Sequence, residues 1–167
     1  MDAKYAPRWM EMKWTELKHL DPSLSILVIP VGSIEQHGPH LPLSTDTLIP
    51  QEIAARLPRY LDAQVILGVP IFLTYAPESE IYPGTLSIDG STLSAIIRDQ
   101  RISYGRHPFR MIVLLNGHME SYQFILEGIR LASHQNSQGQ RMMLINWWDL
   151  VSEKTLEEVF ADNWPGW

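Results

Sequence analysis

Leu24-Ser25-Ile26-Leu27-Val28-Ile29-Pro30-Val31-Gly32 is a nearly continuous aliphatic run closed by a glycine. A strand with one wet face alternates apolar and polar residues; a run without alternation suits a strand covered on both faces, as in a parallel sheet. Upstream, residues 8–20 place Trp9, Met12, Leu17 and Leu20 at spacings of three to five, which predicts a short amphipathic helix ended by Asp21-Pro22. Downstream, residues 47–60 carry Ile49, Ile53, Ala54 and Leu57 on one face, with Asp46 as the N-cap of the predicted helix. Residues 64–69 repeat the strand signal, 70–90 form a Pro- and Gly-bearing loop, and 91–104 give a second helix with Leu93, Ile96 and Ile97 inward. The unit recurs as a strand at 110–115, a helix at 122–133, a strand at 141–146 and a helix at 153–161. Strands alternating with helices of this length predict an α/β fold, a three-layer α/β/α sandwich with a mainly parallel central sheet.

The 167 residues suit one domain, expected over 1–167, and neither linker nor repeat divides them. At 45% hydrophobic and 19% charged, the composition is that of a globular chain rather than a disordered or coiled-coil one. Thirteen Lys and Arg against nineteen Asp and Glu give a net charge of -6, which argues against a nucleic-acid or anionic-membrane partner. The sequence has no cysteine, so disulfides, thiolate metal sites and cysteine nucleophiles are excluded; a metal must be held by His, Asp and Glu. The apolar runs 26–31 and 111–115 fall far short of the ~20 residues of a spanning helix. Residues 1–10 show no signal-peptide pattern, so the expected location is cytoplasmic.

In open α/β sheets ligands gather beyond the carboxyl ends of the strands. After the first strand comes Glu35-Gln36-His37, followed later by Asp46; after the third comes His118-Met119-Glu120. If both strands are parallel members of one sheet, both loops emerge at one edge, and two acid–histidine pairs plus an aspartate converge. Within each pair the residues are two apart, which in extended backbone sends both side chains to the same side. Any one of these residues alone reads as an ordinary solvated loop side chain. Together, five oxygen and nitrogen donors suit Zn²⁺, Mn²⁺ or a similar ion, with a carboxylate able to bridge two. Gly32, Gly38 and Gly117 read as ordinary turn glycines.

These stretches resemble the creatininase (creatinine amidohydrolase) family. Its pattern Pro-x-Gly-x-x-Glu-Gln-His-Gly-x-His-Leu-Pro, then Asp, appears from Pro30 to Asp46; its Phe-Pro-Gly-Thr-x-Ser motif appears as Tyr82-Pro83-Gly84-Thr85-Leu86-Ser87; its Asn-Gly-His motif is Asn116-Gly117-His118. Met119-Glu120-Ser121 resembles the branch containing creatininase itself, with an acidic ligand two residues after the histidine. The resemblance implies two divalent ions per subunit, Zn²⁺ and/or Mn²⁺: Glu35 and His118 on one, His37 and Glu120 on the other, Asp46 bridging. It implies a homo-oligomer, a hexamer in the family, and hydrolysis of a carbon–nitrogen bond in a small amide, with creatinine to creatine the leading substrate. The alternatives are a formylamino or cyclic ketone substrate, or a metal-binding chain without turnover. Trp148 in Trp147-Trp148-Asp149 matches a pocket tryptophan; Trp167 matches another better than Trp164 does, and Ser87 is carried over as a substrate contact. Trp147 itself reads more simply as packing. In the family a His-bearing segment after the tryptophan loop transfers protons. The sequence in hand stops at Trp167, so the chain is expected to be C-terminally truncated, to turn over weakly, and to have its catalytic residue unassigned; His40 is the first to test within it. Glu78-Ser79-Glu80-Ile81 replaces a stretch where many relatives carry a histidine.

Overall fold

The computed structural model describes residues 5–133 and 140–160. Its centre is a four-stranded sheet in the order β2-β1-β3-β4, formed by β1 (Ser25–Val31), β2 (Gln64–Leu67), β3 (Met111–Asn116) and β4 (Arg141–Asn146), with every pair parallel. Pro30 sits in β1 at little cost to the ladder. Its carbonyl accepts from Ile71 N–H, so the side on which its own N–H is missing faces chain beyond Leu67, the last residue of β2.

Side-chain alternation along the strands separates two cores. Leu27, Ile29, Val31, Ile112 and Leu114 face one layer and meet Leu93, Ile97 and Tyr104 of α3 (Gly90–Tyr104) and Ile125 of α4 (Tyr122–Ser133). Val28, Val65, Leu67, Val113 and Leu115 face the other and meet Ala54 and Ala55 of α2 (Thr45–Arg56). Helices cover both faces, which is the predicted three-layer sandwich. Leu93 is 0% exposed at the centre of the larger core. Leu93→Ala is expected to destabilise the chain by ~2–5 kcal/mol, read as a lower denaturant midpoint at unchanged slope.

The first predicted helix does not form as one piece. Trp9–Glu11 is a single 3-10 turn, and α1 (Trp14–Leu17) is a separate turn after extended Lys13, whose N–H is capped by Glu16 at 2.6 Å. Two contacts override the amphipathic pattern. The Pro7 carbonyl takes the edge N–H of Leu67, and Trp9 inserts edge-on against Tyr104 with ring centroids 5.0 Å apart. Smaller differences fall at element ends: α2 begins at Thr45 rather than at 47, so Asp46 lies in its first turn and Ser44 takes the cap position. The last described helix, α5 (Glu153–Phe160), follows the expected course.

Strand order fixes where a site can lie. From β1 the chain steps outward to β2, then crosses to the other side of β1 for β3 and β4. The reversal falls between β1 and β3, so the loops after these two strands diverge and leave a crevice at their carboxyl ends.

Candidate metal centre

Both glycines that end these strands are shaped by what lies above them. A Cβ on Gly32 would stand 2.4 Å from the Asp46 carbonyl oxygen, and one on Gly117 would stand 2.0 Å from the same atom. Neither has a positive φ; among the described glycines that belongs to Gly38 (φ 74) and Gly84 (φ 91). Gly38 is a turn glycine as expected. Gly32 and Gly117 are instead close-approach glycines, without which the first turn of α2 could not settle between the ends of β1 and β3.

That placement brings Asp46 to the middle of the crevice. Its Oδ1 lies 2.8 Å from His37 Nε2 and its Oδ2 lies 2.9 Å from His118 Nδ1, while Ser33 Oγ donates to Oδ2 at 3.1 Å. The remaining nitrogen of each imidazole faces a backbone carbonyl: His37 Nδ1 is 3.1 Å from Glu35 O, and His118 Nε2 is 2.9 Å from Tyr75 O. Glu35 Oε1 approaches His118 Nδ1 at 3.2 Å, and Glu120 Oε2 lies 3.5 Å from His118 Nε2. All five sequence-predicted residues therefore meet. His118 and Glu120 do so differently from expectation, since Glu120 swings in on the 3-10 turn Met119–Ser121 rather than along extended chain.

The donor set fits divalent cations. An imidazole that gives its N–H to a backbone carbonyl presents a lone pair from its other nitrogen, the arrangement that orients metal-binding histidines. Here both lone pairs point at one carboxylate, a repulsive pairing unless protons or a cation intervene. On His118 a proton serves in the metal-free protein. Burial disfavours charge on His118, but Asp46 and Glu35 outweigh it and raise its pKa to about 10. Burial likewise works against charge on Asp46, yet His118 and His37 hold its carboxyl below the usual range. Glu120 is pushed up, chiefly by burial, and its Oε2 is buried without a hydrogen-bond partner. Two three-residue sets have ligand atoms within 4.8 Å of one another, Glu35/His118/Glu120 and Glu35/His37/Asp46. The sets share Glu35, and His37 groups with Glu35 rather than Glu120. Asp46 is nevertheless the carboxylate in contact with both imidazoles.

A cavity of about 330 Å³ opens over the cluster, lined by Glu35, Asp46, His118 and Glu120 and walled by Trp147 and Trp148. Trp148 is thus beside the cluster, as the sequence suggested; Trp147 is there too while also packing on the smaller core. Trp164 and Trp167 lie outside the described residues. Ser87 is not among the lining residues, and its hydroxyl accepts from Ala76 N–H at 3.1 Å, steadying the segment whose Tyr75 carbonyl orients His118. His40 is exposed and outside the lining. Sequence reading passed over Ser33, Tyr75 and Glu78. The first two act through a hydroxyl beside Asp46 and a backbone carbonyl, neither of which carries a motif; Glu78 lines the cavity from a loop already set aside as a departure.

A parallel α/β sandwich with a histidine–carboxylate cluster at its switch point places the chain among α/β proteins with a candidate metal centre at the carboxyl ends of their strands. The chain belongs to the creatininase family, whose creatinine amidohydrolase pattern it matches over residues 10–166. It is 31% identical to the creatinine amidohydrolase of Pseudomonas putida over 94% of this chain and 64% of that protein. It is 30% identical to the mycofactocin precursor peptide peptidase of Mycolicibacterium smegmatis, over 71% of this chain and 49% of that one. A third relative, 3-dehydro-scyllo-inosose hydrolase of Thermotoga maritima, is 27% identical over 77% of this chain and 41% of its own length. A manganese form of creatininase superposes with a TM-score of 0.84 at 29% identity, and a zinc–zinc form of a mutant with 0.83 at 28%, each over 97% of this chain and 66% of theirs. The chain therefore spans about two thirds of the creatininases it matches and less than half of the other two relatives.

Proposed function

We propose that the chain forms the metal-binding part of an amidohydrolase that opens a carbon–nitrogen bond in a small amide, with creatinine the leading substrate and creatine the product. Glu35, His37, Asp46, His118 and Glu120 would hold two divalent ions, Zn²⁺ and/or Mn²⁺, with Asp46 the carboxylate that faces both imidazoles. The observation that carries this reading is the pair of imidazoles, each tied to a backbone carbonyl on one side and turned to Asp46 on the other. When bound, such ions supply Lewis acidity at a carbonyl and lower the pKa of water from 15.7 toward about 7. The protein's own part is to fix donor positions. Trp147 and Trp148 add a broad aromatic wall suited to a flat ring. Self-association is part of the same reading, supported by exposed Leu41, Leu43, Ile81, Tyr82 and Leu86 on loops at this end of the sheet.

A formylamino, cyclic ketone or peptide-derived substrate is the second reading. It is favoured by the activities named for the peptidase and inosose hydrolase relatives and by the departure at Glu78-Ser79-Glu80-Ile81. Protein purified without chelator is expected to carry divalent metal and to convert creatinine faster than the same protein stripped of metal. A fully loaded protein without even residual turnover of creatinine, a formylated amine, a cyclic ketone and a peptide alike would overturn the hydrolase reading.

A further inference from the structure

Beneath the cluster runs a line of side-chain amides that the metal-centre reading does not use. Asn116 and Asn146 are Cα partners on the last rung between β3 and β4, so their side chains leave the sheet on the same face. Asn116 is 0% exposed. Its Nδ2 donates to Asn146 Oδ1 at 3.0 Å, and its Oδ1 accepts the backbone N–H of His118 at 3.1 Å. Asn146 Nδ2 in turn donates to Asp149 Oδ2 at 2.9 Å.

We infer that Asn146 is a positioning residue for His118, fixing through Asn116 the direction in which the histidine's backbone is held. The reasoning concerns polarity. An ionised carboxylate only accepts, so Asp149 draws the amide NH₂ of Asn146 toward itself and leaves the Asn146 carbonyl facing Asn116. Asn116 must then present its own NH₂ to Asn146, which aims its oxygen at His118 N–H. The reversed amide would set NH₂ against N–H at a fully buried position, an arrangement that costs the desolvation of an unpaired donor. Asn146 also begins the Trp147–Leu150 turn that carries Trp148, so the aromatic wall and the histidine share one anchor.

The inference rests on the metal-centre reading for its functional meaning, and two measurements separate the two. Hydrogen exchange of the His118 amide in metal-free protein reports the positioning itself, and Mn²⁺ affinity by competition with a chelator reports its consequence. Asn146→Leu, similar in volume but with no acceptor, is expected to speed His118 exchange and to weaken Mn²⁺ by ~10–100-fold, the usual effect of losing a group that orients a ligand. The exchanged pair N146D/D149N keeps an acceptor opposite Asn116 and a donor behind it, and is expected to retain both properties. A merely structural rung would lower the melting temperature of Asn146→Leu without changing His118 exchange or Mn²⁺ affinity, and that result overturns the inference. So does an exchanged pair as defective as Asn146→Leu. If His118 exchange responds as expected but the unaltered protein binds no Mn²⁺, the positioning stands and the metal-centre reading falls.

Discussion

Asp46→Ala is expected to remove most of the bound divalent metal, a larger loss than the ~10–100-fold caused by removing a group that merely orients a ligand. The expectation follows from Asp46 being the carboxylate that touches both imidazoles, at 2.8 and 2.9 Å. Without it, His37 Nε2 loses its carboxylate partner and His118 keeps only Glu35 and Glu120 nearby. A second consequence is readable without metal. Asp46 and Glu35 together raise the His118 pKa to about 10 against the opposing effect of burial, so removing Asp46 should bring it down, visible in an NMR titration of stripped protein. The sign follows from linkage. A pKa raised on folding stabilises the metal-free protein fully below 6.5, and that contribution fades as pH rises through about 10. Asp46→Ala should therefore cost metal-free stability at neutral pH and little above pH 10. Full metal content in Asp46→Ala, measured by elemental analysis, would refute its central place.

How legible this centre was differs residue by residue. The unalternating run at 24–32 identified a doubly covered strand, and the recurring strand–helix pattern gave the parallel sheet, because burial on two faces leaves a compositional mark. Glu35, His37, His118 and Glu120 could be brought together on paper from topology alone. The first helix was misread because periodicity cannot register a competing backbone bond such as Pro7 O to Leu67 N–H, or an aromatic pocket such as that around Trp9. Partition of the donors between two sets was equally out of reach, since it depends on which imidazole nitrogen each backbone carbonyl occupies. Most instructive are Gly32 and Gly117. In sequence they resemble turn glycines, whereas the folded chain uses them for the space that a Cβ would take from the first turn of α2.

That use of space predicts that Gly117→Ala damages the fold and the metal site together. The added methyl carbon would lie 2.0 Å from the Asp46 carbonyl oxygen and 2.9 and 3.0 Å from the Pro50 ring carbons Cγ and Cδ. A flexible side chain could turn aside from such a contact, but backbone and a proline ring cannot. Gly32 bounds the same carbonyl from the β1 side, so α2 cannot relax toward β1 either. The remaining response is for the first turn of α2 to lift away from the sheet. Overpacking of this kind costs ~1–3 kcal/mol or more, although alanine ordinarily suits folded backbone better than glycine. Lifting that turn also withdraws Asp46 from His37 and His118, so stability and metal binding should fall together. A mutation acting only on loop flexibility would leave metal affinity intact once the protein is folded. Thermal unfolding and metal titration of Gly117→Ala at a temperature where it remains folded test the coupling. An unchanged melting temperature with wild-type affinity would mean that the crevice between β1 and β3 is wider than these contacts require.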